Sequence, residues 1–360
     1  MGMDPKIKNL TIFFLLRGGV LFGLGYFLPS LLGIYDPYKL AVLVIGTITA
    51  WRILLSIYRR MILPPKQPKD YGDWVIVTGS TSGIGKAFIE HMAGLGLNVV
   101  AVSRSEDKLK EQVENIRKEY GVKAEYLAFD FTQSGQASDV FYGKVDKMCA
   151  KLAEDGHVGV LINNVGTANT YPMALEEFTD KDIQDMIQCN IYSTMNMTRV
   201  VMKHMKERKK GCIVNVSSGS GNHPTPMLAI YSSTKAFITQ FSRSMHVECW
   251  DTGVDHLAVT PYYVVSNLYK RKSGTLLAPM PIALVKGTLA QLGKRYIWQG
   301  HGYWFHGFLG VIGAYYWGTT ERWKKVMSDN RARYDARQAL ATRQEEGVTE
   351  TENSSSKKSR

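Results

Sequence analysis

Two long apolar runs open the chain, Leu10 to Tyr35 and Leu40 to Ile57, separated by a turn around Asp36-Pro37. Each carries a single cation, Arg17 in the first and Arg52 in the second. A helix needs about 20 apolar residues to cross the hydrocarbon core of a bilayer, and both runs approach that length. They predict an N-terminal transmembrane anchor over residues 1–60, either a two-helix hairpin or one spanning helix with an interfacial partner. A cleaved signal peptide would have a shorter apolar core followed by a small-residue cleavage site, and none is evident. Arg59, Arg60, Lys66 and Lys69 follow the second run. Positive residues stay on the cytoplasmic side, so the rest of the chain is expected to face the cytosol. Pro64, Pro65 and Pro68 mark 61–72 as a stiff linker.

The pattern then changes period. Short apolar, β-branched runs at Trp74–Val77, Asn98–Val102, Ala124–Phe129, Val158–Ile162 and Cys212–Val216 alternate with helical patterns. Two of those patterns run from Lys86 to about Gly94 and from Asp182 to Met205. Such alternation predicts an α/β fold, a doubly wound parallel sheet of the Rossmann type with helices on both faces. Its ligands bind beyond the carboxyl ends of the strands. Asp130, Asn163, Asn164, Ser217 and Ser218 all stand at such ends.

The first strand runs directly into Thr78-Gly79-Ser80-Thr81-Ser82-Gly83-Ile84-Gly85, and a helix follows. Gly79 lets the chain leave the strand sharply. Gly83 removes a side chain where backbone approaches a pyrophosphate, and Gly85 lets the helix pack closely on the strand. The helix N-terminus offers unpaired N–H groups to the phosphates. After the second strand comes Ser103-Arg104, with no acidic residue to hold ribose hydroxyls. A guanidinium matches a 2′-phosphate, so Arg104 favours NADPH over NADH. Ser80, Ser82 and Ile84 complete the turn that would cradle this cofactor.

Tyr231 and Lys235 are four residues apart, which on a helix puts them on one face. A phenol has an ordinary pKa of about 10, and a neighbouring ammonium stabilises the phenolate. The pair can then exchange a proton with a substrate oxygen. Ser218, at the end of the fifth strand, can hydrogen-bond and orient the same oxygen. Ser217 is its neighbouring candidate.

At this point the chain resembles the classical short-chain dehydrogenase/reductase family. The glycine turn, the Asn163-Asn164-Val165-Gly166 segment and the set Asn190, Ser218, Tyr231, Lys235 match that family in order and spacing from Trp74 to Ser266. The resemblance implies that Asn190 holds a water in a proton relay and that Lys235 also binds the nicotinamide ribose. It departs from the family's Pro-Gly after the sixth strand, since Pro261 is followed by Tyr262-Tyr263-Val264-Val265-Ser266. This Pro-Tyr version, the apolar N-terminus and the lysine-rich end resemble the family's membrane-bound reductases of lipid ketones. In that pattern Asp130 and Asn164 join the cofactor site, and Val264 and Ser266 meet the nicotinamide carboxamide. The activity implied is reduction of a 3-oxoacyl-CoA to a 3-hydroxyacyl-CoA in fatty-acid elongation. Reduction of a 17-ketosteroid would use the same site, and a catalytically silent lipid-binding scaffold would have no need of Tyr231.

The rest of the chain reads as catalytic domain over 73–270, a substrate- or membrane-associated extension over 271–330, and a polar tail over 331–360 that is expected to be disordered from Asp335 to Ser356. Lys270-Arg271-Lys272 could receive coenzyme A phosphates or meet headgroups. Thr275 to Leu292 has a helical pattern, and Tyr303 to Trp317 is rich in aromatics yet short for a span. Either it dips into one leaflet or it packs over the core. His301 and His306 beside it read as structural, with no metal-ligand spacing.

The net charge of +12 favours anionic surfaces. No basic helix with interleaved aromatics or zinc-finger spacing appears, which disfavours nucleic acid as a partner. The four cysteines, Cys149, Cys189, Cys212 and Cys249, form no C-x-x-C pair and read as buried free thiols. Lys357 and Lys358 resemble the dilysine signal of endoplasmic reticulum membrane proteins. The expected partners are therefore an acyl-CoA or other lipid ketone, the membrane and other elongation enzymes, with a homodimer left open.

Overall fold

The computed structural model describes residues 37–58, 63–169, 171–266, 273–294, 297–316, 324–325, 327–337 and 339. The first apolar run, Arg59, Arg60, Lys270-Arg271-Lys272 and the final lysines lie outside the described residues. The chain divides into two units, Met1–Pro64 and Pro65–Arg360. In the first, α1 (Pro37–Ile57) exposes Val42, Ile45, Ile53 and Leu54. Among the described residues no helix is long and apolar enough to cross a membrane.

The second unit is built on strands β1 (Trp74–Thr78), β2 (Asn98–Ser103), β3 (Ala124–Ala128), β4 (Val158–Asn163), β5 (Gly211–Val216), β6 (Val254–Val259) and β7 (Gln299–Gly300). All pair in parallel, in the spatial order 3-2-1-4-5-6-7. The sheet has helices on both faces, so its central strands are buried throughout and read as continuous apolar runs. Strand alternation then sorts their side chains into two cores.

Val75 and Val77 pack with Phe88, Ile89 and Met92 of α2 (Gly83–Gly94) and with Leu109, Val113 and Ile116 of α3 (Glu106–Tyr120). Trp74 and Ile76 face the other way, against Phe141, Val145 and Cys149 of α4 (Gln136–Leu152). The spacing of Leu109, Val113 and Ile116 is that of a helix with one buried stripe. Gly121, at φ +66°, ends α3 with a left-handed cap whose N–H reaches the Arg117 carbonyl.

The five expected strands are all present, and the four cysteines are free and buried. Several expectations are corrected. The single helix expected over 182–205 is interrupted. After α5 (Asp180–Ile187) a π-helical turn at Gln188–Tyr192 precedes α6 (Ser193–Glu207), an insertion that helix periodicity does not reveal. α7 (Ala229–Glu248) follows β5. Within 275–292 only α8 (Pro281–Leu289) is α-helical, because Pro279 and Pro281 cannot continue a helix from upstream. Thr275 N–H instead closes a turn on the Ala278 carbonyl.

The linker is not free over its whole length. Tyr71 is 1% exposed, and its hydroxyl and the Lys66 ammonium both donate to Asp255 Oδ2, at 2.6 and 2.8 Å. After α9 (Trp304–Tyr316), residues 327–337 form a further helix, α10. The polar tail expected from residue 331 therefore begins as a helix, with Asn330 and Tyr334 buried.

Candidate active site

The site lies at the carboxyl ends of β1, β4 and β5, where the topology reverses beside β1. Gly79, at φ +65°, turns the chain out of β1. A Cβ on Gly85 would sit 2.2 Å from the Gly79 carbonyl oxygen and 2.5 Å from Asn164 Nδ2, so only glycine fits. Asn164 braces the turn from β4 by donating through Nδ2 to the Thr78 and Gly79 carbonyls at 3.0 and 3.2 Å. Thr78 Oγ1 in turn accepts from the Asn164 and Val165 N–H groups, both at 3.0 Å.

Gly83, at φ +55°, lies where an added Cβ would come within 3.2 Å of Ser266 Cβ, so the loop after β6 arches over the glycine turn. Ser82 precedes α2 as its N-cap without a side-chain capping bond, which leaves the leading N–H groups open to an anion. Ile84 is half-buried against the core, and Val264 is buried. Arg104 is exposed just past β2. Asp130 sits just past β3, its Oδ1 accepting from Thr132 N–H and Oγ1 at 3.0 and 2.9 Å. The glycine cradle, the open helix terminus and the guanidinium fit a phosphorylated dinucleotide. Ser80 is an exception among the expected contacts. Its buried hydroxyl donates to Gln112 Oε1 at 3.0 Å, which makes the side chain a brace between the turn and α3.

Ser218, Tyr231 and Lys235 converge as expected. The Ser218 hydroxyl lies beside the Tyr231 phenol and acts to lower its pKa. Lys235 is 5% exposed and donates to the Val216 carbonyl at 3.0 Å. Its ammonium lies 5.8 Å from the centroid of the Tyr231 ring. Burial pushes the lysine down to about 8, and nearby Cys189 opposes that shift. The tyrosine departs from expectation. Burial pushes its phenol up, and only the neighbouring Ser218 hydroxyl pulls it down. The ammonium is itself desolvated and tied to a carbonyl, and the protein around the pair favours the neutral phenol. A phenol that keeps its proton is the form needed to donate one.

Asn190 sits in the π-helical turn and is 1% exposed. Its side chain accepts from Thr167 N–H at 2.8 Å and donates to the Thr167 carbonyl and to Thr234 Oγ1, each at 2.9 Å. It therefore clamps the segment after β4 onto α7, and its backbone carbonyl accepts from Thr194 Oγ1 at 3.0 Å. Ser217 turns away from the site, donating to the Lys235 carbonyl at 2.6 Å. Asn163 joins Thr198 and Asn215 in a buried network beneath the site.

Two glycines beside the site make close approaches that spacing along the chain does not show. A Cβ on Gly166 would lie 3.2 Å from both Asn190 Oδ1 and Lys235 Nζ. A Cβ on Gly219 would lie 2.6 Å from the Tyr262 ring. The Gly219 N–H also bonds the Pro261 carbonyl at 2.7 Å, so the Pro-Tyr loop supports the serine loop directly. In the sequence Gly166 ends the Asn163-Asn164-Val165-Gly166 motif, and Gly219 directly follows Ser218.

Residues 73–276 match the family described as short chain dehydrogenase. The chain is 40% identical over 243 residues to the very-long-chain 3-oxoacyl-CoA reductase of Homo sapiens, covering 67% of this chain and 74% of that protein. Among solved structures, a 7beta-hydroxysteroid dehydrogenase is similar with TM-score 0.61 and 26% identity, over 73% of this chain and 99% of the other. A short-chain dehydrogenase from Sphingobium yanoikuyae in complex with NADPH shares the fold, with TM-score 0.55 and 24% identity over 75% of this chain and 95% of the other. The chain belongs to the short-chain dehydrogenase family.

Proposed function

We propose that this short-chain dehydrogenase uses NADPH to reduce very-long-chain 3-oxoacyl-CoA to 3-hydroxyacyl-CoA at a membrane surface, as part of fatty-acid elongation. The observation that carries this reading is the convergence of Ser218, Tyr231 and Lys235 at the strand ends that also carry the glycine cradle. The 40% identity to a reductase of that name supports the choice of substrate.

NADPH, when bound, supplies the hydride for the carbonyl carbon. Ser218 Oγ and Tyr231 Oη together hold the carbonyl oxygen, and Tyr231 Oη gives it a proton as charge develops there. The high pKa of the phenol keeps that proton in place until it is needed. Lys235, still largely protonated at neutral pH, stabilises the phenolate left behind. Asn190 holds the segment after β4 and α7 in register around them. Arg104 reads the 2′-phosphate.

The membrane reading is supported by apolar side chains that a soluble surface would not need. They are Val42, Ile45, Ile53 and Leu54 on α1, and Leu276, Leu277, Met280, Trp304 and Phe308 in the catalytic unit. The terminal lysines favour the endoplasmic reticulum with the catalytic unit in the cytosol, beside other elongation enzymes. Reduction of a 17-ketosteroid is the second reading, favoured by the similarity to a hydroxysteroid dehydrogenase. Membranes carrying the protein, given NADPH and either ketone, decide between them. 3-Hydroxyacyl-CoA is expected to form, and turnover of the steroid alone would reject the acyl-CoA substrate.

A further inference from the structure

Ser218 and Tyr231 lie at the two ends of one loop, and that loop contains a strained residue. Met227 has φ +62°, a region bulky side chains rarely adopt, and it is 5% exposed. Such strain persists only where surrounding contacts over-determine it. The Met227 carbonyl accepts from Met173 N–H at 2.8 Å and from Asn169 Nδ2 at 3.3 Å. One residue earlier, the Pro226 carbonyl accepts from Asn330 Nδ2 at 2.8 Å.

The turn faces both functional residues. Towards Ser218, Thr225 Oγ1 donates to the Ser220 carbonyl at 3.1 Å, and Ser220 Oγ donates to Ser218 Oγ at 3.0 Å. Towards Tyr231, Leu228 is the N-cap of α7, and its carbonyl accepts from Ser232 N–H at 2.8 Å. Asn330 lies on α10, at the far end of the chain from this loop. It is 7% exposed, and one turn along the helix Tyr334, 8% exposed, packs its ring 6.1 Å from that of Tyr171. The Arg337 guanidinium lies 5.9 Å from the Tyr171 ring centroid, on the segment that also carries Met173.

We propose that Asn330 is a positioning residue of the active site. By holding the Pro226–Met227 turn, it fixes where Ser218 and the start of α7 stand relative to one another, and so keeps the Ser218 hydroxyl beside Tyr231. The C-terminal helix is on this account part of the catalytic apparatus, although it touches no reacting atom. The role rests on the ketone-reductase reading only for its activity assay.

The test is a double-mutant cycle in the full chain in its membranes. Asn330→Ala removes the amide donor, and Met227→Gly removes the conformational penalty that the donor opposes. Asn330→Ala is expected to lower kcat about tenfold or more while NADPH affinity stays within about twofold, since the glycine cradle is untouched. In the Met227→Gly background the same substitution should cost at least about fivefold less. Hydrogen exchange of backbone amides over 219–231, measured without substrate, should quicken in Asn330→Ala and slow again in the double variant. If Asn330→Ala fails to bind NADPH, Asn330→Gln keeps a displaced amide and is read in the same way. Unchanged kcat and exchange, or a loss that is the same in both backgrounds, would overturn the role. Failure of the wild type on 3-oxoacyl-CoA would sink the proposed substrate, while the exchange readout would still judge Asn330.

Discussion

The Lys235 ammonium lies 5.8 Å from the centroid of the Tyr231 ring, while its hydrogen bond goes to the Val216 carbonyl at 3.0 Å. The lysine is buried as a cation with a carbonyl and a distant ring for company. That arrangement is poor for stability, and it makes the charge that steadies the phenolate sensitive to pH, because a lysine held near 8 loses its proton within reach of ordinary conditions.

The stability consequence has a definite sign. The unfolded chain holds this proton up to the ordinary value of 10.5, and the folded chain releases it near 8. Between the two the unfolded state binds more protons, so this group's contribution to stability rises with pH across that window. Below it, burying the charge costs about 3 kcal/mol, at about 1.4 kcal/mol per unit. Lys235→Met is expected to lose turnover yet unfold at a higher temperature at pH 7, with the gain shrinking as pH approaches 10.5. Thermal unfolding of the two proteins across that range checks it, and kcat of the wild type should fall above about pH 8.

His256 carries a second pH dependence. Both ring nitrogens are buried without a hydrogen-bond partner. Burial pushes the ring down to about 3, with His246 and Lys206 adding to the shift and Asp255 opposing it. The unfolded chain protonates at 6.5, so stability is lost as pH falls from there towards 3, by up to about 5 kcal/mol at the acid end. In His256→Leu, denaturant midpoints between pH 7 and 4 should fall less steeply than in the wild type.

Gly85→Ala tests the cradle. The new Cβ would meet the Gly79 carbonyl at 2.2 Å, and backbone cannot yield as a flexible side chain would. A loss of about 1–3 kcal/mol in stability is expected, with dinucleotide affinity reduced at least about tenfold. Calorimetry and cofactor titration read the two effects separately.

Arg104→Glu removes the proposed partner of the 2′-phosphate and adds a repelling charge. A charge-assisted hydrogen bond is worth about 1.5–3 kcal/mol, so NADPH affinity should fall about 10- to 100-fold while NADH affinity holds or improves. Titration with both cofactors gives the ratio directly.

What the sequence made legible follows from periodicity and spacing. Val75 and Val77 alternate with Trp74 and Ile76 because a sheet covered on both faces needs two cores, and that pattern is visible in one dimension. Tyr231 and Lys235 could be paired from helix geometry alone. Asn330 could not be placed, because its partner Pro226 is 104 residues away and nothing local marks a helix over 327–337 as docked. The π-helical turn at Asn190 was hidden for a different reason, since one inserted residue leaves an apolar stripe almost intact. The protonation of Tyr231 is not legible in the sequence, which shows which charges are near and not how dry the site is.

In the proposed reduction one phenolic proton, on Tyr231 Oη, goes to the substrate oxygen. Turnover of 3-oxoacyl-CoA by Tyr231→Phe, compared with the wild type at matched NADPH occupancy, tests it most directly. A fall in kcat of about 10²- to 10⁴-fold is expected, with NADPH affinity unchanged. A variant that binds NADPH and turns over at the wild-type rate would contradict it.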